Sequence, residues 1–139
     1  AFIALMIIAG VLLIFINKGY LGQKSEISER VYQVQISILR EIQLSDDLRG
    51  EILNLADEKI ADPGVSSDNP DFPQSVENNI AERSPEYLEC ISRICELDKV
   101  CPQPSGSPEG KDVYAQSVAI TANSEIYSAR QIKLFCWTK

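Results

Sequence analysis

Residues 1–16 read AFIALMIIAGVLLIFI, an uncharged run in which Gly10 alone lies outside the hydrophobic set. With no proline and a single glycine the run favours helix. A helix apolar on every side has no face to leave in water and must be buried all round. At 1.5 Å per residue it is roughly 24 Å long, a little short of a ~30 Å hydrocarbon core unless Asn17 to Leu21 extend it. Such a run constrains the chain more than any other feature. It predicts an apolar stem over residues 1–22, ending in a hinge at Gly19 and Gly22, two glycines that weaken or bend a helix. Residues 23–139 are then left to form a head. A chain that opens on its apolar run, with no basic region ahead of it, also reads as one cut in front of that run, whereas ordinary signal cleavage falls behind it.

The rest of the composition narrows the chemistry. The chain has no histidine, which excludes Ser-His-Asp and Cys-His nucleophile pairs, His-ligated zinc and an imidazole base. No Gly-rich phosphate loop, HExxH or nucleophile elbow occurs. The expectation is therefore a protein that is not an enzyme and needs no cofactor. Thirteen Lys and Arg against 20 Asp and Glu leave a formal charge of −7 and no basic cluster, so nucleic acid is not an expected partner. Asp62, Asp68 and Asp71 lack the alternation and glycine of a calcium loop. Glu86 and Glu89 read as a solvated helix face, and no metal site is expected.

Along the head, Ile27, Val31, Val34, Ile38 and Ile42 form the stripe of an amphipathic helix, with Glu26, Glu29, Arg30 and Gln33 on its solvated side. Ser45 followed by Asp46 and Asp47 resembles an N-cap with an acidic first turn, predicting helix through Leu48, Ile52, Leu55 and Ile60. Asp62-Pro63-Gly64 stops it, and the stretch to Ser84 reads as a long surface loop anchored by Val65, Phe72, Val76 and Ile80. Ser84-Pro85 then reads as the start of another helix through Leu97, with Leu88, Ile91 and Ile94 or Cys95 buried. Pro102 to Lys111 has too many breakers for regular structure. Val113 to Thr121 and Ile126 to Trp137 read as strands, with Ile132, Leu134 and Cys136 alternating against Gln131, Lys133 and Phe135. Trp137, Tyr114 and Tyr127 are more readily core or sheet aromatics than a binding patch. The expected fold class is thus α+β: a long apolar N-terminal helix as a stalk, then a small disulfide-stapled head with helices and a C-terminal antiparallel hairpin or small sheet.

Cys90, Cys95, Cys101 and Cys136 contain no CxxC pair, which makes zinc a poor fit. An exported head implies an oxidising compartment and two disulfides. If Cys90 and Cys95 share a helix, about 7.5 Å of axial rise separates them, too far for a bridge. Two pairings survive: Cys90 with Cys101 plus Cys95 with Cys136, or Cys90 with Cys136 plus Cys95 with Cys101. No Asn-x-Ser/Thr sequon is present.

The uncharged apolar start resembles that of a type IV pilin after a prepilin peptidase has removed its leader. Bacterial members usually begin on an aromatic residue and carry glutamate at the fifth position. Here Ala1 leads, Phe2 follows and Leu5 takes the fifth place, which is more similar to the archaeal pilin and archaellin branch. The resemblance implies a structural subunit of an extracellular type IV pilus-like filament at the cell surface. Its core would be built by Ala1, Phe2, Ile3, Ala4, Leu5, Met6, Ile7, Ile8, Ala9, Gly10, Val11, Leu12, Leu13, Ile14, Phe15 and Ile16, packed against copies of the same segment. It further implies insertion in the cytoplasmic membrane before assembly, with the peptidase and a pilus assembly machinery as partners. Small residues Ala4, Ala9 and Gly10 suit close helix approach, and a heterologous contact that does not close generates a helical polymer. The alternative is a single-pass membrane-anchored ectodomain that binds a partner or cell-surface polymer. Non-reducing peptide mapping is expected to find no Cys90–Cys95 link; recovering one would also break the assignment of both cysteines to one helix.

Overall fold

The computed structural model describes residues 1–106, 108–121 and 129–139, without the side chains of residues 15–26. In chain order the elements are α1 (Phe2–Leu44), α2 (Asp46–Leu53), α3 (Asp57–Ile60), β1 (Val65–Ser66), α4 (Gln74–Arg83), β2 (Leu88–Glu96), β3 (Tyr114–Ile120) and β4 (Arg130–Thr138). Two compact units, Ala1–Val31 and Tyr32–Lys139, divide the chain within α1.

The α+β class holds, but the expected long apolar stalk helix is corrected. What is long here is not apolar, and what is apolar is not long. Helix α1 carries Lys18, Lys24, Glu26, Glu29 and Arg30 beyond its apolar start, while the described apolar section, residues 2–14, covers roughly 20 Å at helical rise. Among the described residues no helix is long and apolar enough to cross a membrane. The hinge expected at Gly19 and Gly22 falls where side chains lie outside the described residues, and the helix is assigned through both positions.

The Tyr32–Lys139 unit is organised on a four-stranded antiparallel sheet of order β1-β2-β4-β3. Strands β2 and β4 pair from Leu88 opposite Thr138 to Glu96 opposite Arg130. Because side chains alternate along a strand, this register sorts the unit into two faces. Leu88, Cys90, Ser92 and Ile94 lie beside Cys136, Leu134 and Ile132 on one face. Ile91, Arg93 and Cys95 lie beside Phe135, Lys133 and Gln131 on the other.

Helices cover the first face. Ile38, Leu39 and Ile42 of α1, Ile52 and Leu53 of α2, and Val76 and Ile80 of α4 are buried together with Ile94, Ile132 and Leu134. Gln35 is buried in the same layer, where its Nε2 donates to Leu134 O at 3.1 Å and Tyr114 O at 2.8 Å; Gln43 Nε2 donates to Ala119 O at 2.9 Å. Arg130, only 2% exposed, donates from Nη1 to Ile52 O at 2.6 Å and from Nη2 to Asp57 Oδ1 at 3.1 Å. A cation at the carbonyl end of α2 is favourably placed against the helix dipole. Glu41 of α1 and Arg83 of α4 form an ion pair. Ser45 caps α2 as expected, its Oγ accepting from Leu48 N at 3.4 Å with Asp46 and Asp47 in the first turn.

The proline-rich segment covers the second face. Lys133 Nζ donates to Cys101 O at 3.4 Å, Lys111 Nζ to Thr138 O at 3.0 Å, and Gly106 lies over Ile91 so closely that a Cβ would stand 3.2 Å from its Cδ1. Trp137 and Phe135 are each 3% exposed. Trp137 is thus a core residue, and Tyr127 lies outside the described residues.

Two helix and loop expectations are corrected. The segment read as a helix over 85–97 is strand β2: Ser84 ends α4, its backbone N–H and its Oγ both donating to Ile80 O, and β-branched Ile91 and Ile94 pair with β4 on both sides of the pleat. The stretch read as one surface loop contains β1 and α4. Its four proposed anchors, Val65, Phe72, Val76 and Ile80, are all buried, and Val76 and Ile80 lie one helical turn apart on the covered side of α4. In α1, Ile27 is half exposed, and the buried side of the later turns runs through Gln35 and Leu39 as well as Ile38 and Ile42.

The disulfides are Cys90–Cys136 and Cys95–Cys101, one of the two surviving pairings. Cys90 and Cys136 are directly opposite in the ladder with Cα atoms 4.1 Å apart, near the ~4.5 Å of a non-hydrogen-bonded antiparallel pair. Cys90 cannot reach Cys95, but for a different reason than expected: five residues apart on a strand, they point to opposite faces.

One position depends on glycine. Gly64 has φ +90°, and a Cβ there would meet Ile94 O at 2.5 Å and Cys95 Sγ at 2.7 Å. Gly64→Ala is expected to destabilise the protein by more than ~1 kcal/mol, since both its backbone and its surroundings reject a side chain. Urea denaturation followed by Trp137 fluorescence measures this, and an unchanged midpoint would contradict the packing of β1 on β2.

Candidate functional site

In the Ala1–Val31 unit the described apolar section is a helix with its side chains in the open. Phe2, Ile3, Leu5, Met6, Ile7, Ile8, Val11, Leu12, Leu13 and Ile14 are exposed, from 46% at Val11 to 82% at Phe2. The four consecutive positions 5–8, and again 11–14, project around the full circumference at 100° per residue. No single stripe faces a core. The small residues add to this: Ala4 and Ala9 are exposed, and nothing lies within 4 Å of a Cβ built on Gly10. Of the residues assigned to assembly, Ala1 to Ile14 share this uncovered section, while the side chains of Phe15 and Ile16 lie outside the described residues.

The physical content of this arrangement is a large unmet demand for burial. Fully burying one such side chain is worth about 1.5–3 kcal/mol, so ten of them represent on the order of 15–30 kcal/mol of gross driving force. That exceeds or matches the ~4–15 kcal/mol cost of associating two molecules. Monomeric proteins rarely leave a contiguous apolar surface of this kind uncovered, and where they do it marks an interaction site.

The four cysteines are brought together in pairs and staple the other unit. The Cys90–Cys136 bridge lies between the central strands, and Cys95–Cys101 ties the start of the proline-rich segment to the end of β2. Among the described residues no group of three or more Cys, Asp or Glu side chains could hold a metal. Asp71 pairs with Lys59 at 3.0 Å, and Asp68 accepts from Ser66 Oγ.

A concavity between α4 and β2 was not anticipated. It is an open cleft of about 400 Å³ lined by Glu77 and Glu86 together with the buried Ser92. Reading Ser84-Pro85 as a helix start hid it, because Leu88, Cys90 and Ser92 share one face only on a strand. The available signal was the alternation of small and polar Cys90 and Ser92 with larger residues.

Compared with protein-family models, curated proteins and solved structures, the chain finds no match.

Proposed function

We propose that this protein is a structural subunit of an extracellular, type IV pilus-like filament, polymerising through residues 1–16. The observation that carries this reading is the apolar surface of Phe2 to Ile14, exposed on every side of its helix. A partner that covers only one side would leave the rest in water. Identical segments surrounding one another cover all sides at once, and each covers the others in return. Repetition of one heterologous contact then extends the assembly into a helical polymer. Until assembly the segment lodges in the apolar part of the cytoplasmic membrane, where the same side chains are sheltered at little cost. Leader cleavage by a prepilin peptidase and delivery by a pilus assembly machinery belong to this reading.

Two features support an extracellular role. The disulfides of the Tyr32–Lys139 unit suit an oxidising compartment, and the whole chain's charge of −7 favours a solvated outer surface. The role proposed is mechanical and structural rather than catalytic.

Leu12→Glu in the full chain tests the assembly surface directly. An unpaired carboxylate buried among apolar helices costs several kcal/mol, and it recurs in every subunit. Wild-type protein is expected to sediment as filaments visible by negative-stain electron microscopy. The variant is expected to remain monomeric in detergent while its Trp137 fluorescence transition in urea stays unchanged. Filaments formed equally well by the variant would overturn the proposal.

A further inference from the structure

The cleft between α4 and β2 lies wholly within the Tyr32–Lys139 unit and has no part in the assembly reading. Its volume of about 400 Å³ falls in the range of small-ligand sites, roughly 300–1,000 Å³. Its walls are of two kinds. Ile80 of α4 with Leu88 and the Cys90 disulfide of β2 supply an apolar interior, while Glu77 and Glu86 bring two carboxylates against the ammonium of Lys139; Glu89, opposite Trp137, belongs to the other face of the pleat.

Ser92 lines the same cleft. It is 1% exposed, and its Oγ has no hydrogen-bond partner, although its backbone is fully engaged: N donates to Ser67 Oγ at 3.2 Å and O accepts from Ser67 N at 2.9 Å. Ser84, also on the wall, already spends its hydroxyl on Ile80 O at 2.7 Å. A buried hydroxyl without a partner is uncommon in native structures, and here it belongs to a residue that lines the cleft.

We propose that this cleft binds an organic cation: an ammonium or guanidinium head on a short apolar stem, the stem against Ile80 and Leu88. The carboxylates of Glu77 and Glu86 draw in and hold the positive charge, and Ser92 Oγ accepts a hydrogen bond from the bound head. A bare inorganic cation fits less well, because it would lose its hydration against the apolar wall and, among the described residues, no three Cys, Asp or Glu side chains stand together to replace it. The same chemistry is carried by a free alkylamine and by a lysine or arginine side chain of another protein.

The test is a titration of the full chain in detergent micelles, followed by ¹H–¹⁵N correlation spectra, with N-acetyl-lysine amide as the probe. N-acetyl-norleucine amide, of similar stem but without charge, is the control. Saturable shifts confined to residues such as Ile80, Leu88 and Ser92 are expected with the lysine probe alone, fading at ~1 M salt, where the screening length is ~3 Å. The double variant Glu77→Gln with Glu86→Gln is expected to weaken binding about tenfold or more, as loss of two attractive charges requires. Lys139→Gln, an exposed change that leaves the core untouched, is expected to tighten it. Ser92→Ala is expected to weaken it without moving the urea midpoint downward. Equal binding of the norleucine control, or shifts that never saturate and spread over the acidic surface, would overturn the proposal. So would a Lys139→Gln variant that binds less well. Butylammonium separates the sources: affinity equal to that of the lysine probe supports a free amine, and much weaker affinity supports a protein side chain, both within the cation reading.

Discussion

The pairing of β2 with β4 decides where almost everything else in the Tyr32–Lys139 unit can go. Nine residues of each strand run antiparallel without a break, and the alternation of the pleat assigns every side chain to one of two faces. A slip by one residue would carry Ile132 and Leu134 to the side covered by the proline-rich segment, and would move Arg130 away from the carbonyl end of α2. The Cys90–Cys136 bridge joins two directly opposed residues and so locks that register covalently. Gln35 reads the same alignment from the helical side, since its amide reaches carbonyls of both β3 and β4.

The N-terminal section poses the opposite situation. In the sheet unit most large apolar side chains are buried in a core, whereas the large apolar side chains of Phe2 to Ile14 are all exposed. Burial energy that a folded unit normally satisfies internally is, on the proposed reading, held over for association. On the filament proposal, folding and assembly are then separable: changes at Ile38 or Leu134 would act on the stability of the sheet unit, and changes at Ile7 or Leu12 on what the protein joins.

Much of this was legible in the sequence where a local pattern and its tertiary environment agree. The alternation of Ile132, Leu134 and Cys136 against Gln131, Lys133 and Phe135 matches the observed faces of β4, and the Ser45-Asp46-Asp47 cap begins α2 as it reads. The helical repeat ending at Ile38 and Ile42 likewise marks the covered side of α1. The failures have a common physical origin. Leu88 to Glu96 carries helix-compatible spacing, and Ser84-Pro85 mimics a helix start, but the segment pairs with β4, some 40 residues away, and no local rule contains that partner. Gln35 escaped notice because a polar residue within an apolar stripe reads as solvated; only the positions of Tyr114 O and Leu134 O make it a buried donor. The cleft lined by Ser92 was lost with the strand that forms its wall. The apolar start was plain from residue types alone, yet its extent was overread: the long helix it opens becomes charged after residue 17, so length and apolarity do not coincide.

Electron cryo-microscopy of the extracellular fraction that contains this chain tests the central claim most directly, because it images what covers Phe2 to Ile14. The account predicts helical filaments in which these residues pack against the same residues of neighbouring subunits around the filament axis. Isolated particles, with this section surrounded by lipid or detergent and no contact between copies, would contradict it.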